Sequence, residues 1–197
     1  MSGRTILESN SRNVKNSMRH EVPFSGIEGV RLVNLELHID SRGSFSRLDF
    51  STFPMFPTDS FAISRNSLAG TVRGLHFQNH PHGQSKLVSC LSGSLDDFFL
   101  DLRTDSESFG KWARIRLDDD NPKVLFLPEG IAHGFQTLKE KTTVMYFFDK
   151  PFVESSKASY SIIDPELGID LILPISEISD MDRFAPVFSK ISKGLIS

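Results

Sequence analysis

The sequence has one cysteine, Cys90, so no intrachain disulfide framework is available, a usage that fits a reducing compartment. Cys90 sits in an apolar run and reads as a small core residue. Long apolar runs are also lacking. Met1 to Glu21 is polar, with no stretch suited to a secretion signal or a membrane span, and residues 1–25 read as an extended or poorly ordered N-terminal arm. Excess positive charge is missing too. The net charge of −3 gives no electrostatic reason to expect nucleic acid or an anionic membrane surface as a partner. No Gly-rich dinucleotide loop or Walker-type loop occurs, which removes support for NAD or ATP chemistry, and no internal repeat is visible. A cytoplasmic location is the expectation.

What is present is a succession of short strands. Gly29–His38, Asp59–Ser64, Lys86–Leu91, Leu95–Leu102, Trp112–Leu117, Lys123–Leu127 and Thr142–Phe148 are rich in Val, Ile, Leu, Phe and Thr. Turn signals separate them, among them Asp40-Ser-Arg-Gly43, Ser92-Gly93 and Pro128-Glu-Gly130. That spacing indicates an all-β sandwich or barrel, with 17 Phe to fill it. Beyond Ile163 the pattern loosens into a loop and a short helical tail around Asp180–Arg183. No linker divides the chain, and its 197 residues suit a single domain over residues 26–197.

The histidines carry the candidate chemistry. His76 lies in Gly70-Thr-Val-Arg-Gly-Leu-His-Phe-Gln78, His133 in Pro128-Glu-Gly-Ile-Ala-His-Gly-Phe135, and His80-Pro-His82 follows the first. A His-x-His pair in a β-rich chain raises a metal-binding cupin, the basis of a metal-dependent oxygenase. The carboxylate such a site needs is replaced by Gln84, Ser85 and Lys86, and the Pro and Gly around His80 and His82 suit an exposed turn. The metal-free reading is preferred. Arg73 and Lys86 beside His76 are costly near a barrel interior unless an anion joins them, and a phosphate would satisfy both. Arg73 and His76 are an odd number of residues apart, so a regular strand sends them to opposite faces. A bulge at Gly74 would turn both inward.

These segments, with Gln84-Ser-Lys-Leu-Val88, Asp101-Leu-Arg103, Ser108-Phe-Gly-Lys-Trp112 and Asp164-Pro-Glu-Leu-Gly-Ile169, resemble the dTDP-4-dehydrorhamnose 3,5-epimerase family. Six blocks stand in the family's order, from about Gly29 to about Pro186. The resemblance implies an all-β, cupin-type jelly-roll barrel with a short C-terminal helical tail. It further implies a homodimer acting on a nucleotide-sugar substrate, a nucleotide-linked 4-keto-6-deoxyhexose, without metal or organic cofactor. Matched residue by residue, His76 falls on the general base, Asp182 on its carboxylate partner, Lys86 on the active-site lysine and Tyr146 on the general acid. Arg73 and His133 fall on substrate contacts, and Phe152 on the aromatic that stacks on the nucleotide base. Arg42 and Phe45 resemble the N-terminal segment that reaches the partner subunit's ligand.

The reaction explains those residue types. A C4 ketone acidifies the hydrogens on C3 and C5, because the anion left behind delocalises onto oxygen. Imidazole is a base suited to neutral pH, an Asp behind it fixes the tautomer, and an ammonium near O4 stabilises the enolate. Inversion needs a second proton donor across the ring, which Tyr146 supplies. Departures from the family cluster near the nucleotide base: Arg47, Ser60, Ala62, Lys157 and Met181 stand where thymidine-specific members carry other residues. The carrier therefore stays open between dTDP and CDP. The expected activity is inversion at C3, C5 or both, for deoxysugars of a surface polysaccharide such as a lipopolysaccharide O-antigen. The alternatives are a 3,4-ketoisomerase of the same substrates and a non-catalytic nucleotide-sugar-binding cupin.

Overall fold

The computed structural model describes Glu21–Val22 and residues 26–188. Apart from Glu21–Val22, the expected N-terminal arm lies outside the described residues. The strands in chain order are β1 (Glu21–Val22), β2 (Arg31–Asn34), β3 (Leu37–Asp40), β4 (Gly43–Ser46), β5 (Ser60–Asn66), β6 (Thr71–Gln78) and β7 (Lys86–Ser92). They continue with β8 (Ser94–Asp101), β9 (Trp112–Asp118), β10 (Lys123–Leu127), β11 (Ile131–Thr137), β12 (Thr142–Phe148), β13 (Lys157–Ser159) and β14 (Glu177–Ile178), and end at helix α1 (Asp180–Arg183).

Two sheets face each other, one ordered β1-β2-β10-β7-β12-β5 and the other β13-β6-β11-β8-β9. The sequence reading of an all-β barrel with a helical tail agrees with this architecture. Between the sheets the core is built from Val88, Leu95, Phe99, Leu125, Phe135 and Val144 with their neighbours. A second apolar layer lies on the far side of β6 and β8, where Val72, Leu75, Phe98 and Leu100 meet Ile162, Leu167 and Phe188 of the C-terminal segment. Strand β8 is thus covered on both faces and buried throughout its length. Each large side chain so buried stabilises the fold by about 1.5–3 kcal/mol, which is why the irregular tail stays docked on the barrel.

Two expectations need correction. The run Gly29–His38 is two strands, because β2 pairs with β10 whereas β3 turns away and pairs with β4 as a hairpin. Segment Ile131–Thr137, read as a motif and not as a strand, is β11, at the centre of its sheet between β6 and β8.

Candidate active site

The barrel encloses a cavity of about 290 Å³ whose lining includes His76, Lys86, His133, Tyr146, Arg73 and Phe152. Strand alternation explains most of this set. On β12, Tyr146 and Phe148 face inward while Met145 and Phe147 face out, and Phe148 pairs in register with Lys86 of β7. His76 and His133 are direct cross-strand partners on β6 and β11.

Arg73 and His76 both reach the cavity because β6 carries one residue more than its partner. Arg73 pairs with Phe135 and His76 with His133, so three steps on β6 oppose two on β11. Gly74 takes up the extra residue at φ +107°, and a Cβ there would lie 2.5 Å from Cα of Gly134. Only glycine allows the strands to approach this closely at that conformation.

Nε2 of His76 lies 2.6 Å from Oδ1 of Asp182. Asp182 arrives from the C-terminal tail by a defined route. Strand β14 zips in parallel onto Thr71 and Val72 of β6, and Ser179 then caps α1 by accepting from the Asp182 N–H at 3.1 Å. The first helical turn therefore aims Asp182 back at the strand that carries His76. Burial opposes the Asp182 charge, but hydrogen bonds from His76, Ser179 and the Gly74 backbone outweigh it and hold the carboxyl below the usual carboxylate range.

Lys86 is 6% exposed and donates through Nζ to the His76 carbonyl at 3.2 Å. Burial lowers its pKa to about 8, with the Asp97 carboxylate pulling the other way. His133 sits with Nδ1 3.3 Å from Oδ2 of Asp97, and burial with the nearby Lys86 ammonium holds its ring neutral. Burial, reinforced by Asp97 and partly countered by Arg73, raises the Tyr146 phenol, which keeps its proton at neutral pH. Tyr146 meets the His133 ring edge-on and stacks on Phe148.

Asp97 is a site residue that the sequence reading missed. It is fully buried, and burial, opposed by Lys86 and reinforced by Asp96, holds its carboxyl well above the usual carboxylate range. The structure places it on the inward face of β8, between Leu95 and Phe99 of the barrel core. Asn66 was also missed; its oxygen accepts from Arg73 Nε at 2.9 Å.

Arg42 and Phe45 are not brought to this cavity. Both lie on the exposed β3–β4 hairpin, where Arg42 pairs with Asp40 and Phe45 is 56% exposed. His80 and His82 occupy the exposed turn after β6, as expected of them. Among the described residues, no group of three or more His, Cys, Asp or Glu is arranged to hold a metal ion. At the rim, Ala62, Ser64 and Lys157 line the cavity, whereas Ser60, on the same face of β5, does not reach it. Met181 is exposed on α1. No helix among the described residues is long and apolar enough to cross a membrane.

A jelly-roll barrel with an imidazole–carboxylate pair, a buried ammonium and a phenol around one cavity defines a cupin-type barrel equipped for proton transfer. The model of the dTDP-4-dehydrorhamnose 3,5-epimerase family matches residues 25–190, and the chain belongs to that family. It is a sugar-nucleotide epimerase, an isomerase of deoxysugar biosynthesis. It is 34% identical over 179 residues to the dTDP-4-dehydrorhamnose 3,5-epimerase of Mycobacterium tuberculosis, covering 86% of this chain and 89% of that one. It is 36% identical over 157 residues to the dTDP-4-dehydrorhamnose 3-epimerase of Streptomyces niveus, covering 74% and 72%. The Legionella pneumophila epimerase solved in complex with dTDP-4-keto-L-rhamnose superposes with a TM-score of 0.76 at 28% identity, covering 85% of this chain and 89% of that one.

Proposed function

We propose that the enzyme inverts C3, C5 or both of a nucleotide-linked 4-keto-6-deoxyhexose through an enolate. The observation that carries this reading is the 2.6 Å contact between His76 Nε2 and Asp182 Oδ1 at the edge of a cavity that also holds Lys86 and Tyr146. His76 takes the proton from the carbon beside the ketone, and the C–H electron pair moves toward O4. Asp182 stabilises the imidazolium so formed. The Lys86 ammonium has three donors, one of which bonds the His76 carbonyl, and it stabilises the charge growing on O4. Tyr146 returns a proton on the opposite face as the ketone re-forms, after which His76 and Tyr146 recover their starting states by exchange with solvent. Arg73 binds a phosphate oxygen, His133 contacts the sugar, and Phe152 offers a stacking face to the base.

The carrier is dTDP or CDP. The matched relatives are named for dTDP substrates, whereas Ala62 and Ser64 give the rim of this cavity short side chains with little capacity to read a base edge. We also read the protein as cytoplasmic, with residues 26–197 as one domain, feeding a surface polysaccharide. We further read it as a homodimer. Phe61, Ile63 and Leu91 leave the outer face of the first sheet apolar and exposed, and the β3–β4 hairpin stands clear of its own cavity, where Arg42 and Phe45 can serve a neighbour.

Proton NMR of dTDP- and CDP-4-keto-6-deoxyglucose in D₂O with enzyme tests the reading. Loss of the H3 or H5 signal with inversion identifies the carbon, and the faster carrier identifies the nucleotide. Migration of the ketone to C3 would instead establish a ketoisomerase. Absence of exchange with either carrier would leave a binding protein.

A further inference from the structure

Arg73 is exposed at the cavity rim, and the described residues place no carboxylate within ion-pair distance of it. Among the described residues, the side chain it bonds is Asn66, from Nε to Oδ1 at 2.9 Å. Asn66 is 3% exposed and held firmly. Its Nδ2 donates to the Thr142 carbonyl at 3.1 Å, and the two residues are cross-strand partners on β5 and β12. A carbonyl can only accept, so the amide nitrogen must face Thr142 and the amide oxygen must face Arg73. Thr142 is itself locked, its hydroxyl donating to the Lys139 carbonyl at 2.7 Å. The turn joining Asn66 to Arg73 is pinned as well: the Gly70 N–H donates to Thr137 O at 2.7 Å, and Ser176 N–H donates to Gly70 O at 3.0 Å.

We infer that Asn66 is a positioning residue that sets the Arg73 guanidinium for the substrate's diphosphate. The choice of an amide is informative. An Asp at this point would hold the guanidinium equally well but neutralise it and compete with phosphate. Asn supplies an acceptor without charge, binds Nε, and leaves the two terminal nitrogens, the pair that matches phosphate bidentately, directed to the ligand. The phosphates do not change during epimerisation, so Asn66 acts on binding that is the same in ground and transition states, and its loss falls on KM. The inference rests on the proposed role of Arg73 as a phosphate contact.

The test is a double-mutant cycle on the full chain, assayed with the faster of dTDP- and CDP-4-keto-6-deoxyglucose, with thermal unfolding of every variant. Asn66→Ala should raise KM about tenfold, the scale of one hydrogen bond to a charged group, with kcat within about threefold. Arg73→Lys should raise KM at least as far, and the Asn66→Ala/Arg73→Lys double variant should match Arg73→Lys alone. Asn66→Asp, which preserves shape and adds a charge opposite Arg73, should raise KM at least as much as Asn66→Ala, and it covers the case in which the alanine variant fails to fold. Multiplicative KM effects in the cycle, or an unchanged KM in Asn66→Asp, would overturn the inference. An unchanged KM in Arg73→Lys with a raised KM in Asn66→Ala would instead overturn the phosphate role of Arg73.

Discussion

With Nε2 of His76 bound to Oδ1 of Asp182 at 2.6 Å, the ring nitrogen left for the substrate is Nδ1. His76→Asn removes that nitrogen as a base and should abolish wash-in of solvent deuterium. Asp182→Asn keeps the shape of the pair but withdraws the charge that supports the imidazolium. It should lower kcat by roughly 10²–10⁴-fold with little change in melting temperature. Wild-type exchange rates in His76→Asn would remove it as the base.

Tyr146→Phe separates exchange from inversion. The phenyl ring keeps the contacts with His133 and Phe148, so the fold should persist. His76 can still remove and return a proton on its own face, so deuterium should enter the substrate while product stays scarce. NMR reads both. Inversion at the wild-type rate would mean that the second proton comes from another group.

Lys86 gives the rate a pH dependence of known sign. Its pKa near 8 lies below the ordinary lysine value of 10.5. Below about pH 8 the ammonium is intact and its contribution to kcat is constant. Above it kcat should fall about tenfold per pH unit. The same shift acts on stability. Between about 8 and 10.5 the unfolded chain binds this proton more tightly, so the contribution of Lys86 to stability rises with pH across that window. A pH–rate profile of Lys86→Met that still carries the alkaline limb would assign that limb elsewhere.

Asp97→Asn tests the buried carboxylate. Asp97 raises the Lys86 pKa, so its removal should move the alkaline limb of kcat to lower pH. The Nδ1 of His133 would then face a neutral amide in place of a carboxylate, and His133 should hold substrate less well. An unmoved limb would mean that Asp97 carries no charge in the working enzyme.

Gly74→Ala probes the crossing of β6 and β11. A Cβ at φ +107° and 2.5 Å from Gly134 Cα forces the strands apart. The cost should be about 2–4 kcal/mol, lowering the melting temperature by roughly 5–15 °C. A variant as stable as wild type would show that the bulge relaxes freely.

Much of this was legible in the chain because short alternating runs with Gly and Pro between them have few solutions other than a barrel. His76, Arg73, Lys86 and His133 stood out in local motifs while Tyr146 and Phe152 came from the family resemblance, and the barrel brings all of them, from four strands and a loop, to one cavity. The inward turn of both Arg73 and His76 followed from Gly74, since only an inserted residue reconciles an odd spacing with one face. Asp97 escaped notice because its strand, buried on both sides, hides the alternation that would have marked it as inward. Asn66 escaped because its partner Thr142 is 76 residues away, and no spacing rule encodes that contact. The placement of the β3–β4 hairpin away from its own cavity depends on tertiary pairing that no single segment specifies.

The base and its carboxylate are 106 positions apart, and the carboxylate rides on the last element of the described fold. A ribosome releasing this chain completes every wall of the cavity before it delivers the residue that makes His76 competent. The barrel can therefore gather its core while still chemically silent, and activity reports that the tail has docked. A nick between Ile169 and Ser176 would leave the cavity walls in place and disconnect the tail that supports the base.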